Sequence, residues 1–267
     1  MLEESLALID VVVEVADARA PRATRNPDFE ELLAGKKRVV LLNKSDLASP
    51  ALTKAWVDHY KKSGITSMDF IATSGQKRKA AIEAIERAAA DKVAEMRAKG
   101  VIKTVRAMVV GIPNAGKSTF INRIAGENRA KVGDKPGITK AKQWVKIGPY
   151  LELMDTPGLL WPKLEDPMCA KHLAYIGSIN DDIMDTEQLG GDLLSDLNTI
   201  CPVDLAVRYK AVQVGMSPHE LLEAVCVSRG FRLSGNELDI ERAARIVLDE
   251  FRAGKIARVT LEAPEGP

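Results

Sequence analysis

The segment Gly111-Ile-Pro-Asn-Ala-Gly116-Lys117-Ser118 spells G-x-x-x-x-G-K-S, a spacing suited to holding the phosphates of a nucleotide. Its glycines let the backbone N–H groups around Asn114, Ala115 and Gly116 wrap a β-phosphate, and a helix starting near Lys117 adds its positive dipole. Lys117 can bridge β- and γ-oxygens, Ser118 can give its hydroxyl to magnesium, and Thr119 completes the set. Downstream, Asp155-Thr-Pro-Gly158 supplies what such a loop lacks: a carboxylate acting on magnesium through water, and a glycine amide placed for the γ-phosphate. Between the two, Thr139 of Lys135-Pro-Gly-Ile-Thr139 is expected to complete the magnesium coordination when a nucleoside triphosphate is bound. Lys117, Thr139 and Gly158 are therefore the expected switch and transition-state contacts, and no residue is assigned to orient the water.

Asn43-Lys44-Ser45-Asp46 selects the base. A carboxylate accepts hydrogen bonds from guanine's ring N–H and exocyclic amine, whereas adenine presents an acceptor there and leaves it unpaired. A site built on such bonds rejects the wrong base by on the order of 10⁴-fold. Ala72-Thr73-Ser74 reads as a further wall whose backbone amide reaches the base oxygen.

These loops need a frame. Leu8 to Ala16, Arg38 to Leu42, Met68 to Ala72, Arg106 to Val110 and Leu151 to Met154 are short, mostly apolar runs of the kind buried in parallel sheets. Each delivers a polar loop at its C-terminal end, where ligands sit in open α/β sheets. Ala51 to Lys62 and Arg78 to Lys99 have helical spacing, the second with Ile82, Ile85, Ala89, Val93 and Met96 on its apolar side. The expected fold is α/β, a doubly wound sheet of the phosphate-loop NTPase type. Its order is unusual: residues 43 to 46 precede residues 111 to 118, so the domain is circularly permuted. Re-cutting a sheet of βα units at a surface loop leaves unchanged which strand ends face the pocket.

After about residue 170 strand-like runs disappear, so a nucleotide domain over 1–170 and a small all-helical domain over 171–267 are expected. Ser217-Pro218-His219-Glu220 is a capping-box helix start, and a last helix from Ile240 to Arg252 turns Ile240, Ala244, Val247, Leu248 and Phe251 inward.

Composition sets bounds. Hydrophobic residues make up 46% and charged residues 28% of the 267, an ordinary globular balance, and the formal net charge is +1, so nucleic-acid affinity would need a local patch. Cys169, Cys201 and Cys226 form no C-x-x-C pair and are expected to be buried thiols. No stretch approaches the roughly 20 apolar residues of a membrane span, and Met1-Leu-Glu-Glu lacks a basic secretory start, so a cytoplasmic location is expected.

Asn43 to Asp46, then Gly111-Ile-Pro-Asn-x-Gly-Lys-Ser-Thr119, Pro136-Gly-Ile-Thr139 and Asp155-Thr-Pro-Gly158, with Asp17-Ala-Arg19 and Leu160-Trp161-Pro162, resemble the bacterial ribosome biogenesis GTPase A family over nearly the whole chain. The resemblance implies a GTP-binding and GTP-hydrolysing switch in late assembly of the large ribosomal subunit. Its partners would be the subunit precursor, through ribosomal RNA and proteins, with the helical domain on the RNA; a monomer is expected. It also implies potassium-stimulated hydrolysis through Asn114. Two departures stand out. Family members usually begin with a W-F-P-G-H-M segment, and His59, His172 and His219 occupy other positions. Leu159 follows Gly158 where many GTPases carry a water-orienting glutamine, so slow intrinsic turnover is expected.

Other features have plainer readings. Asp17 and Arg19 either cap the loop after the first strand or lie near the switch. Arg229, Arg232, Arg242, Arg245, Arg252, Lys255 and Arg258 are interleaved with Glu237, Asp239, Glu241, Asp249 and Glu250, which taken alone reads as a solvated helix face. Trp161 reads as core. Two other functions compete: a metabolic ATPase or kinase, opposed by Asn43 to Asp46, and a signalling GTPase with protein effectors only.

Overall fold

The computed structural model describes residues 6–126, 143–158, 166–179 and 185–264. Thr139 and the segment Leu159 to Pro162 lie outside them. The chain divides into two compact units, Met1–Leu164 with Glu262–Pro267, and Glu165–Leu261.

In the first unit, β1 (Val11–Asp17), β2 (Lys37–Asn43), β3 (Thr66–Asp69), β4 (Val105–Val110) and β6 (Leu151–Asp155) run parallel. β5 (Gln143–Lys146) pairs antiparallel with β6 at the edge, and the sheet order is β3-β2-β1-β4-β6-β5. Every residue of β1 is buried, as a central strand covered on both faces requires. Glu14, in its middle, is paired there with Arg25 at 2.9 Å and Arg38 at 2.6 Å, contacts that offset its loss of water.

Alternation sorts the core. Val12 with Met108 and Met154, and Ala16 with Val40 and Leu42, pack on one face with α1 (Phe29–Leu32) and α2 (Pro50–Lys62). The opposite parity, Val13, Leu41, Val109 and Leu153, faces α3 (Arg78–Ala88) and α5 (Lys117–Ala125), which bury Ala81, Ile85, Phe120 and Ile124. The tail closes on this unit: the Glu262 carboxylate accepts the Arg22 amide at 2.6 Å, and its carbonyl accepts Trp56 Nε1 at 2.9 Å.

Three elements differ from the sequence reading. The third strand ends at Asp69, because Phe70 turns its ring onto Phe120 and Ile71 bridges back to Gln76. The helix read as continuous over 78 to 99 breaks at Ala89 into α3 and α4 (Ala90–Ala98); α4 buries no residue, so no packing holds it in line. β5 was not foreseen, since its four residues bury Val145 alone and are too short for a period to register.

The second unit contains α6 (Pro167–Tyr175), α7 (Thr186–Ile200), α8 (Pro202–Arg208), α9 (Pro218–Arg229) and α10 (Ile240–Arg252). It begins before residue 170 because Asp166 caps α6, its carboxylate accepting the Met168 amide at 2.8 Å. Leu189, Leu193, Leu194 and Leu197 of α7 form the spine on which α9 and α10 pack. The Ser217 capping box is present: its amide donates to Glu220 Oε2 at 2.7 Å. Of the thiols only Cys226 is buried; Cys169 and Cys201 are half-buried, which corrects the expectation.

The arginines of this unit are largely engaged internally. Glu250 accepts from Arg208 Nε at 2.8 Å, Tyr209 Oη at 2.7 Å and Arg229 Nη2 at 2.9 Å, while Arg252 donates to the carbonyls of Ala174 and Tyr175. Burial pushes the Glu250 carboxyl up, and the hydrogen bonds from Arg208 and Tyr209 outweigh it, leaving it below 4.5. Its contribution to stability is therefore complete above pH 4.5 and drains away as pH falls below that value. Glu250→Ala is expected to lower the unfolding free energy by about 2 kcal/mol at pH 7, measured by urea titration, with the difference shrinking in acid.

Candidate functional site

β1, β2, β4 and β6 are parallel and present their C-terminal ends on one side. Those ends deliver Asp17, Asn43 to Asp46, the loop Gly111 to Gly116 and Asp155 to Gly158. Two of these loops, distant in sequence, are tied directly. Asn43 Nδ2 donates to the Ala115 carbonyl at 2.8 Å, and Lys44 Nζ donates to the Asn114 carbonyl at 2.7 Å. Asn43 Oδ1 also accepts the Ala72 amide at 3.0 Å. That amide is engaged, so within Ala72-Thr73-Ser74 any N–H turned to a base belongs to the exposed Thr73 or Ser74, which refines the earlier expectation. Ser45 anchors its loop through Oγ to the Phe70 carbonyl at 3.1 Å, and Asp46 is left exposed.

The phosphate loop explains its own glycine. Gly116 has φ 95°, and a Cβ there would lie 2.3 Å from Asn43 Nδ2. Gly116→Ala is thus expected to break the Asn43–Ala115 bond and cost about 1–3 kcal/mol, read as a lowered thermal midpoint. Behind the loop, Lys117 is buried and donates to the Ile112 carbonyl at 2.8 Å. Burial pushes its ammonium down to about 8, against the pull of Asp155. Ser118 Oγ donates to Asp155 Oδ2 at 3.2 Å, and burial raises the Asp155 carboxyl. Among the described residues, Asp155 Oδ1 is buried with no hydrogen-bond partner. Thr156 Oγ1 fixes the start of the Asp155 loop on the Val109 carbonyl at 2.6 Å, and a Cβ on Gly158 would lie 3.1 Å from Lys117 Nζ.

Arg123 escaped the sequence reading, and Asp17 was named there without its partner Lys44. Arg123, on α5, donates Nε to the Ala72 carbonyl at 3.0 Å and Nη2 to the Thr73 carbonyl, so the helix behind the phosphate loop also holds the Ala72–Thr73 segment. Nothing in its spacing announced this. Asp17, expected to cap its loop or lie near the switch, accepts the Arg19 amide as a cap does and is also ion-paired to Lys44 at 2.9 Å. Its place at a strand end beside β2 was the available signal.

Comparison with known proteins bears on the same residues. Residues 106–189 match the family model described as "50S ribosome-binding GTPase". Ribosome biogenesis GTPase A of Priestia megaterium is 43% identical over 263 residues, covering 98% of this chain and 91% of the relative. The chain belongs to the ribosome biogenesis GTPase A family. Its Thermotoga maritima member is more distant, 32% identical over 99% of this chain and 90% of the relative. Two solved structures share the fold of this chain: GDP-bound TM YlqF, TM-score 0.73 at 27% identity over 99% of both chains, and GNP-bound YlqF from T. maritima, TM-score 0.68 at 28% identity over 99% and 97%. The permuted order, Asn43 to Asp46 before Gly111 to Ser118, is consistent with the family.

Proposed function

We propose that the converged loops hold one guanine nucleotide and that this GTPase acts at a late step in assembly of the large ribosomal subunit. The observation that carries the reading is the pair of bonds from Asn43 and Lys44 to the carbonyls of Ala115 and Asn114, which makes the base-facing and phosphate-facing loops one body. In this reading Asp46 accepts guanine's N–H groups, with Ser45, Ala72 and Thr73 forming the wall. The amides of Asn114 to Gly116 and the Thr119 region face the phosphates at the start of α5.

The donor set suits magnesium: Ser118 Oγ lies beside Asp155, whose other oxygen is buried and unpaired among the described residues. Ser118, Thr139 and Asp155, the last through water, would hold the ion, which when bound neutralises charge on the phosphate oxygens. Lys117 then leaves the Ile112 carbonyl for the β- and γ-oxygens, and the Gly158 amide meets the γ-phosphate. Water attacks the γ-phosphorus and its bond to the β–γ bridging oxygen breaks, with charge gathering where Lys117 and the loop amides point. Asn114, at φ 58°, is the residue through which potassium would act.

The second unit is the proposed contact for ribosomal RNA, supported by the family and by its exposed Lys255 rather than by the arginines engaged with Glu250. Hydrolysis measured with and without large ribosomal subunits, in potassium and in sodium, tests the proposal. Subunits are expected to raise the rate by on the order of 10³-fold, and no stimulation would count against the assembly role.

A further inference from the structure

β1 lies between β2, which carries Asn43, and β4, which feeds the phosphate loop, and the last residue of β1 is Asp17. Asp17 is fully buried. Its Oδ1 accepts the Arg19 amide at 3.0 Å and Arg19 Nε at 2.9 Å; its Oδ2 accepts Arg19 Nη2 at 2.8 Å and Lys44 Nζ at 2.9 Å. Its own amide donates to Thr24 Oγ1 at 3.0 Å, which closes the loop behind it. A turn cap would need only the contact to the Arg19 amide. The two-pronged Arg19 grip instead fixes the plane of the carboxylate and leaves Oδ2 directed at Lys44. Although burial alone would raise it, the Arg19 and Lys44 charges hold the Asp17 carboxyl well below the usual range, so it stays ionised.

Lys44 needs such a hold. Its φ is 58°, a conformation that residues with side chains keep only where their surroundings enforce it. Its ammonium has two recorded anchors, Asp17 Oδ2 and the Asn114 carbonyl.

Resting on the nucleotide reading above, we propose that Asp17 is a positioning residue for guanine-nucleotide binding. Braced by Arg19, it keeps the Lys44 ammonium on the Asn114 carbonyl and thereby fixes the distance between the base-reading loop and the phosphate loop. It touches no nucleotide and acts through Lys44. Removing it loosens both loops together, so affinity and base discrimination fall in step.

Release of a fluorescent N-methylanthraniloyl GDP, followed by stopped flow, tests this in the full chain with Asp17→Asn, Lys44→Met and the double variant. Each single change is expected to speed release roughly ten- to a hundredfold, and the double variant should release no faster than the faster single one. Multiplying effects, or wild-type release from Asp17→Asn protein that merely melts earlier, would overturn the proposal. Asp17→Asn deprives the buried Arg19 guanidinium of its carboxylate, so Asp17→Asn with Arg19→Gln, compared in the presence and absence of Lys44→Met, covers the case in which the single variant does not fold. A wild type without preference for GDP over the ADP analogue would overturn the nucleotide reading and this inference with it. A selective wild type with multiplying effects would overturn the Asp17 role alone.

Discussion

Asp46→Ala is expected to erase the preference for guanine over adenine nucleotides, a loss of about 10⁴-fold in discrimination. The side chain is exposed on a loop whose backbone is held from below by Ser45, Asn43 and Lys44, so its removal leaves the scaffold intact. Stability should change by less than about 0.5 kcal/mol. Competition of GDP and ADP against a fluorescent GDP analogue gives the ratio, and thermal unfolding gives the control. An unaltered ratio would show that the base is read elsewhere.

Lys117→Met should move activity and stability in opposite directions. Single-turnover hydrolysis at saturating GTP is expected to fall by roughly 10³-fold, because the lysine is the one buried cation at the head of the phosphate loop among the described residues. The nucleotide-free fold is expected to gain stability, since burial already depresses that ammonium to about 8 and methionine fills the space without a charge. A lysine with only a structural role would lower both quantities. Parallel losses in rate and thermal midpoint would therefore count against the assigned part.

Much of the first unit could be read beforehand because buried parallel strands announce themselves: Val11 to Ala16, Glu14 apart, and Val39 to Leu42 are apolar on both faces and each strand ends in a polar loop. Elements lacking such pressure were missed or misjudged. Gln143–Lys146 buries one residue, α4 buries none, and the third strand stops early because Phe70 has a ring to bury elsewhere. At the site, residue types and spacing revealed the groups aimed at a nucleotide. What they could not reveal was the set of bonds holding those groups still. Asp17 and Arg123 contact main chain or side chain far away in sequence, and no local period encodes that. The engagement of Arg208, Arg229 and Arg252 within the second unit was likewise invisible until partners were known.

The central place of β1 has a consequence for synthesis. Val11, Val12 and Val13 leave the ribosome early, yet one of their two flanking partners, Val105–Val110, is translated much later. At about 5–20 residues per second, this greasy ribbon waits roughly 5–20 s with one side unmated. β2 follows promptly, so the half carrying Asn43 can zip first and offer a template on which the nascent β4 later lands. An unpermuted relative would mature in the reverse sequence, and nascent-chain pulling forces for the two gene orders should peak at correspondingly different lengths.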